Sequence, residues 1–303
     1  MTTDAPTAAR ASRAEVTGLG AIFRDYVKLT KPRVISLLLV TTLAAMFIAE
    51  RGVPDGWLIL WTMIGGYLAA GGAHAINHFT DRDIDGAMGR TDARPVVQGR
   101  ITPVRALAFG IALGIASALV LGLSSNWLAA AMGLAGLIVY VGIYSLWLKR
   151  TTIHNIVIGG AAGAFPPLVG WAAVAGDLSL YAWILFAIVF YWTPPHFWAL
   201  ALLIKDDYTR ADVPMLPSVH GEQVTQLQVL LWTVAMLGVS VLPCAAGLAG
   251  WPYFVAAMVL GGIFIHFALR LWREGTRRMA KVTFHYSLLY LALLFVAMAV
   301  DAA

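Results

Sequence analysis

Apolar runs of nearly twenty residues alternate along the chain with short polar connections. Nine are read as membrane spans: Val34–Ala49, Gly56–Ile76, Val104–Leu123, Trp127–Leu148, Ile153–Val174, Leu178–Ile204, Val224–Leu248, Trp251–Trp272 and Val282–Val300. A helix of about twenty apolar residues crosses the roughly 30 Å hydrocarbon layer of a bilayer. The first run is short, and the segment around Tyr26–Arg33 would lengthen it at its start. The pattern predicts an all-α, polytopic membrane protein.

Composition agrees. Of 303 residues, 60% are hydrophobic and 12% charged, about half the charged fraction usual for a soluble domain. Mean hydropathy is +0.77. The placement of charge then says more than its total of +5. Arg10, Arg13, Arg24, Lys28, Lys31 and Arg33 precede the first span. Arg82, Arg90, Arg94, Arg100 and Arg105 follow the second, Lys149 and Arg150 the fourth, Lys205 and Arg210 the sixth. Arg270, Arg273, Arg277, Arg278 and Lys281 lie around the connection after the eighth, and only Arg51 falls on the opposite side. Basic loops stay cytoplasmic, so the N-terminus and these loops are expected inside and the C-terminus outside. The basic balance therefore points to a membrane surface and not to nucleic acid.

The single cysteine, Cys244, allows neither a disulfide framework nor a cysteine metal site within the chain. About thirty mixed polar residues before the first run argue against a cleavable signal peptide. No low-complexity segment or soluble domain is visible. Residues 1–25 are expected to be a variable cytoplasmic tail and residues 26–303 one transmembrane domain.

The first concentration of chemistry is NHFTDRDIDGAMGRTDARP, after the second span. Asn77, Asp81 and Asp85 recur every four residues, so a continued helix projects them from one face. Asp83 points elsewhere. One amide and two carboxylates are hard oxygen ligands of the kind Mg²⁺ prefers, with water and phosphate oxygens completing the shell. Arg82, Arg90 and Arg94 beside them suit the free oxygens of a diphosphate. The plain alternative is a solvated loop of paired charges.

A second acidic stretch, LLIKDDYTRADVPMLP, follows the sixth span. Asp206, Asp207 and Asp212 are candidates for a second metal position, with Lys205 and Arg210 nearby, and surface pairing is again the alternative. Pro214 and Pro217 end any helix there. Lys149 and Arg150 either contact the same anion or serve as topology signals.

The stretch NHFTDRDIDGAMGRTDARP resembles the Asn-xxx-Asp-xxx-Asp signature of the intramembrane aromatic (UbiA-type) prenyltransferase superfamily. KLTKPRVISLLLVTT ending at Thr42, NIVIGGAAGAFPPLVGW at Asn155–Trp171, WTPPHFWALAL at Trp192–Leu202 and KDDYTRADVPMLP at Lys205–Pro217 resemble its protohaem IX farnesyltransferase branch. The likeness runs from about Tyr26 to the last span. It departs from superfamily members with a second Asp-xxx-Asp motif, because Asp207 and Asp212 are five apart.

The resemblance implies nine transmembrane helices around a central cavity. It implies farnesyl diphosphate and haem B as substrates, haem O and diphosphate as products, and Mg²⁺ as cofactor. Haem A synthase or oxidase assembly proteins are its implied protein partners. On that basis Asn77, Asp81 and Asp85 are assigned to one metal, and Asp206 and Asp207 to another. Lys31, Arg82, Arg94, Lys149, Arg150 and Lys205 are candidate diphosphate contacts. Tyr191, Trp192, Phe197 and Trp198 either shelter a farnesyl cation or simply pack.

A histidine inside a membrane is a functional candidate. His196 follows Pro194 and Pro195, which kink or break a helix. It is read either as a haem contact or as a hydrogen bond that repairs the kink. His74 and His78 flank Asn77, and His154 lies near Lys149, so His74 and His154 join the haem-facing candidates. Rival functions are prenyl transfer to a quinone precursor or chlorophyll-type acceptor, a transporter or Mg²⁺ channel, and a non-catalytic haem-binding assembly factor. Transporters place their carboxylates at the bilayer midplane, whereas these lie at the rim.

Overall fold

The computed structural model describes residues 18–302. Among them nine helices are long and apolar enough to cross a bilayer, and there is no strand. A shorter helix, α1 (Leu19–Thr30), comes first. The spans are α2 (Pro32–Glu50), α3 (Gly56–Thr80), α4 (Pro103–Ser124), α5 (Trp127–Thr151), α6 (Asn155–Ala175), α7 (Leu180–Leu203), α8 (Gly221–Ala245), α9 (Trp251–Glu274) and α10 (Arg277–Ala302). The chain is a multi-pass membrane protein.

The hydropathy pattern placed these spans to within a few residues, but it misread the segment before the first. Tyr26–Thr30 belongs to α1 and does not extend α2. Pro32 explains the break: its ring disfavours helical geometry in the preceding residue. Lys31 accordingly turns left-handed, at φ 53° and ψ 61°. Residues 1–17 of the expected tail, with Arg10 and Arg13, lie outside the described residues, and Leu19–Asp25 of that tail is helical.

Helix ends follow local chemistry. The Asp55 carboxylate accepts from the amides of Trp57 at 2.9 Å and Leu58 at 3.0 Å, capping α3. The Asn126 side chain accepts from the Ala129 amide at 2.9 Å and starts α5. Pro103 occupies the first turn of α4, where a missing N–H costs nothing.

Each span packs against the next, and α10 returns to α2, closing a ring. α2 also meets α6, and α7 meets α10. Trp171, Leu185, Phe264, Tyr290 and Phe295 fill the core that these crossings create. α3 and α4 approach through glycines: a Cβ on Gly72 would lie 2.7 Å from the Gly110 carbonyl oxygen. Small residues permit such contact between membrane helices. That contact fixes α3, whose last turn carries Asn77 and whose end is capped by Asp81. Within α5, Val139–Leu148 is wound more widely, with i→i+5 geometry. The extra winding turns Ser145 and Lys149 towards α3, where both meet the Asn77–Asp81 pair.

Candidate active site

The helix of α3 stops at Thr80, and Asp81 has φ −96° and ψ 5°. A further turn, Arg82–Asp85, follows at once, and the Asp85 amide bonds to the Asp81 carbonyl at 2.8 Å. The continuation preserves the four-residue register. Asn77, Asp81 and Asp85 are 3%, 1% and 1% exposed, while Asp83 faces outward. One face of this segment therefore buries an amide and two carboxylates together.

Three cations converge on them. Lys31 donates to the Asn77 amide oxygen at 3.0 Å. Lys149 pairs with Asp81 Oδ2, and Arg94 pairs with Asp85 Oδ2. Asn77 Nδ2 donates to Asp81 Oδ2 at 2.7 Å and to Ser145 Oγ at 3.2 Å. Thr91 Oγ1 donates to the Asp85 carbonyl at 2.8 Å, holding the loop that delivers Arg94. Burial raises the Asp85 carboxyl above its ordinary pKa, with Arg94 pulling the other way. Burial, then Arg94, draws the Lys31 ammonium well below its usual value. A cation forced into such company favours an incoming anion.

Each carboxylate keeps one oxygen unused. Asp81 Oδ1 and Asp85 Oδ1 are buried without a hydrogen-bond partner. A buried, unpaired carboxylate oxygen is costly, and a hard cation satisfies it. Two such oxygens beside Asn77 fit an oxygen-coordinated divalent ion that completes its shell with water and phosphate. No group of three or more His, Cys, Asp or Glu side chains suited to a metal occurs among the described residues, so a self-sufficient protein cage is absent there.

The other sequence candidates fall elsewhere. Arg82 turns back to the Phe79 carbonyl at 2.6 Å and lies over that residue's ring. Arg150 makes a two-pronged pair with Asp83 at 2.6 and 2.7 Å and caps the Thr80 carbonyl. That pair pulls the Asp83 carboxyl down to about 2. Lys205 pairs with Glu222 at 3.1 Å. None of the three side chains joins the buried cluster. Asp206 is exposed. Asp207 pairs with Arg210 and accepts from the amides of Gly89 at 3.4 Å and Arg90 at 3.3 Å. It thus ties the second acidic loop to the first. Asp212, exposed and left-handed at φ 52°, ends that loop's short helix.

His74 is buried one turn before Asn77, edge-on to Tyr140 with ring centroids 5.3 Å apart. Both ring nitrogens of His74 and of His78 lack a partner. His196 is stacked between Trp192 at 4.2 Å and Phe284 at 4.9 Å, and its Nδ1 meets Ser287 Oγ at 2.7 Å. α7 runs unbroken through Pro194 and Pro195, and the His196 bond goes to α10, so it is not a repair of that helix. His154 is exposed at the end of the bundle. Trp192 donates to the Ser287 carbonyl at 2.7 Å, and Tyr191 and Trp198 pack on Trp232. Sequence reasoning missed Ser145, Tyr140, Tyr144 and Tyr208. A regular helix gave no reason to turn the first three inward together, and Tyr208 sits in a loop read for its acids.

Comparison with known proteins agrees with this architecture. A family model described as the UbiA prenyltransferase family matches residues 38–297. The chain is 56% identical over 284 residues to a protoheme IX farnesyltransferase of Roseiflexus sp. (strain RS-1), covering 94% of this chain and 53% of that protein. The chain spans about half the length of the first curated relatives it matches. It is 51% identical to the protoheme IX farnesyltransferase of Gloeobacter violaceus, covering 96% of each. A solved UbiA homolog from Archaeoglobus fulgidus bound to GPP and Mg²⁺ superposes with a TM-score of 0.64 at 14% identity, covering 90% of this chain and 99% of that one. The buried oxygen cluster therefore sits in a chain that belongs to the UbiA prenyltransferase family.

Proposed function

We propose that the protein transfers the farnesyl group of farnesyl diphosphate to a vinyl group of haem B, with addition of water, giving haem O and diphosphate. The observation that carries this reading is the cluster of Asn77, Asp81 and Asp85 with Lys31, Arg94 and Lys149. Relatives that carry the protoheme IX farnesyltransferase name support the choice of acceptor and donor. The Mg²⁺ of the Archaeoglobus homolog supports the choice of metal.

The two unpaired carboxylate oxygens, with Asn77, would hold Mg²⁺. Bound there, the ion supplies positive charge against the diphosphate as the allylic C–O bond breaks. Lys31, Lys149 and Arg94 then exchange their carboxylate and amide partners for diphosphate oxygens, so negative charge on the leaving group meets donors already in place. Asp207 acts as the strut between the two loops and holds the Arg94 loop over the site. Asp206 is left outside the metal site.

The cation left on the farnesyl C1 needs shelter from water until the vinyl carbon attacks. Tyr140 and Tyr144, 5.6 Å apart along the widened part of α5, offer ring faces next to the cluster. Tyr208 closes the same region from the second loop and is 6% exposed. Water then adds to the carbocation on the haem side chain and loses a proton. We assign the haem contact to His74, whose nitrogens are unpaired, ahead of His196, whose Nδ1 is held by Ser287. The contacts of Lys31, Lys149 and Asp207 bring the basic connections to one end of the ring. This supports a cytoplasmic site, with the N-terminus inside and the C-terminus outside a bacterial inner membrane.

The test is direct. Purified protein given haem B, farnesyl diphosphate and Mg²⁺ should convert the haem to a species heavier by one farnesyl group and one hydroxyl group, by mass spectrometry. Unchanged haem, or prenylation of a supplied quinone precursor instead, would overturn the reading.

A further inference from the structure

We infer that an anionic phospholipid of the surrounding bilayer is bound in a groove between α1 and the α3–α4 pair, with its phosphate on Arg105. Leu19, Ile22, Phe23, Tyr26, Val27 and Thr30 recur on one face of α1. Leu19 is 88% and Phe23 69% exposed. The opposite face carries Arg24, Asp25 and Lys28. A helix of this pattern lies in the membrane interface with its apolar side in the acyl region.

Beneath that side lies an open groove of about 790 Å³, walled across from α1 by Tyr67, Phe109 and Leu113. Bound small molecules usually occupy roughly 300–1,000 Å³. Among the described residues, Arg105, in the first turn of α4, is the only charged residue of its lining. An apolar trough with one cation at its mouth matches an acyl chain that ends in a net-negative headgroup. A zwitterionic lipid would fill the trough but gain less from Arg105. The walls are fixed: Tyr26 and Phe109 meet edge-to-face at 4.9 Å, and Arg100 pairs with Asp25 at 2.8 Å.

The groove is separate from the diphosphate cluster. Thr30 and Tyr67 share a hydrogen bond of 2.8 Å that ties its walls at the Lys31 end of α1. Beyond it, the left-handed Lys31 reaches Asn77. A seated lipid therefore braces the helix whose end supplies that lysine.

Native mass spectrometry of the full chain in detergent, with equal phosphatidylglycerol and phosphatidylcholine, tests the inference without any turnover. Phosphatidylglycerol should be retained about five-fold better, the scale of one basic side chain at an anionic surface. Arg105→Gln, a change at an exposed site, should abolish the preference, and Arg273→Gln, in the last turn of α9 and outside the groove, should keep it. Ile22→Gln should weaken retention of both lipids. Equal retention of the two lipids, an unchanged preference in Arg105→Gln, or displacement of phosphatidylglycerol by stoichiometric farnesyl diphosphate would each overturn it.

Discussion

The Lys149–Asp81 pair allows stability and activity to be separated. Their side chains are 9% and 1% exposed, so neither charge has water to fall back on. Lys149→Met strands the Asp81 carboxylate, one oxygen of which is already unpaired. Breaking a buried pair from one side costs about 3–5 kcal/mol. At about 2–4 °C per kcal/mol for a chain near this size, the midpoint should fall by on the order of 10 °C. Asp81→Asn strands Lys149 and should cost a similar amount. The double variant leaves no lone charge, and its stability should recover by roughly 3 kcal/mol over the sum of the singles. Activity should follow a different rule. Loss of one aimed cation costs about 10²–10³ in turnover, and Asn in place of Asp81 does not restore it. The assay is a thermal melt followed by intrinsic fluorescence, alongside the initial rate of diphosphate release. A double variant no more stable than either single, or one that regains activity with its stability, would refute the reasoning.

Other consequences are narrower. Arg82→Gln and Lys205→Gln should leave the rate of diphosphate release within about two-fold, because Arg82 meets only the Phe79 carbonyl and ring and an exposed pair such as Lys205–Glu222 is worth about 1 kcal/mol or less; a hundred-fold loss in either would return it to the diphosphate site. Gly72→Ala should destabilise by about 1–3 kcal/mol, since its methyl meets the Gly110 carbonyl at 2.7 Å; an unchanged thermal midpoint would contradict the close α3–α4 contact. Asp301→Ala should cost about 1 kcal/mol, because Asp301 accepts from the Gly250 amide at 2.6 Å and the Tyr253 amide at 3.2 Å at the start of α9. In a ¹³C titration the Asp83 carboxyl should titrate near 2. A depressed carboxyl stabilises above its unfolded pKa near 3.9 and stops doing so as pH falls through about 2. An Asp83 midpoint near 4 would mean that Arg150 is not bound to it.

Much of the fold was legible because hydropathy and charge alternate on the length scale of the bilayer. The spans, the basic side and the Asn77–Asp81–Asp85 face all follow from local periodicity. The break at Lys31 was also written locally, in the proline after it, but a hydropathy run overrides such punctuation. The partners were less legible. Arg82 and Arg94 look alike in the sequence, yet the helix end aims one at the Phe79 carbonyl while the loop returns the other to Asp85. Lys149 and Arg150 are neighbours, and one helical step sends the first inside and the second to Asp83. Asp207 reads as a metal ligand by composition, and only the fold brings the Gly89 and Arg90 amides to it. Ser145 and Tyr140 depended on the widened winding of α5, which amphipathic spacing cannot show. His196 was noticed for its prolines, whereas its neighbours on α10 decide what its Nδ1 does.

The central claim is that Asn77, Asp81 and Asp85 hold a divalent ion together with diphosphate. Electron paramagnetic resonance of Mn²⁺, titrated into the purified protein with and without inorganic diphosphate, tests it most directly. Diphosphate should tighten Mn²⁺ binding in the wild type, Asp81→Asn and Asp85→Asn should abolish that effect, and Asp206→Asn should preserve it. Diphosphate-dependent Mn²⁺ binding that survives in Asp81→Asn and Asp85→Asn but disappears in Asp206→Asn would contradict it.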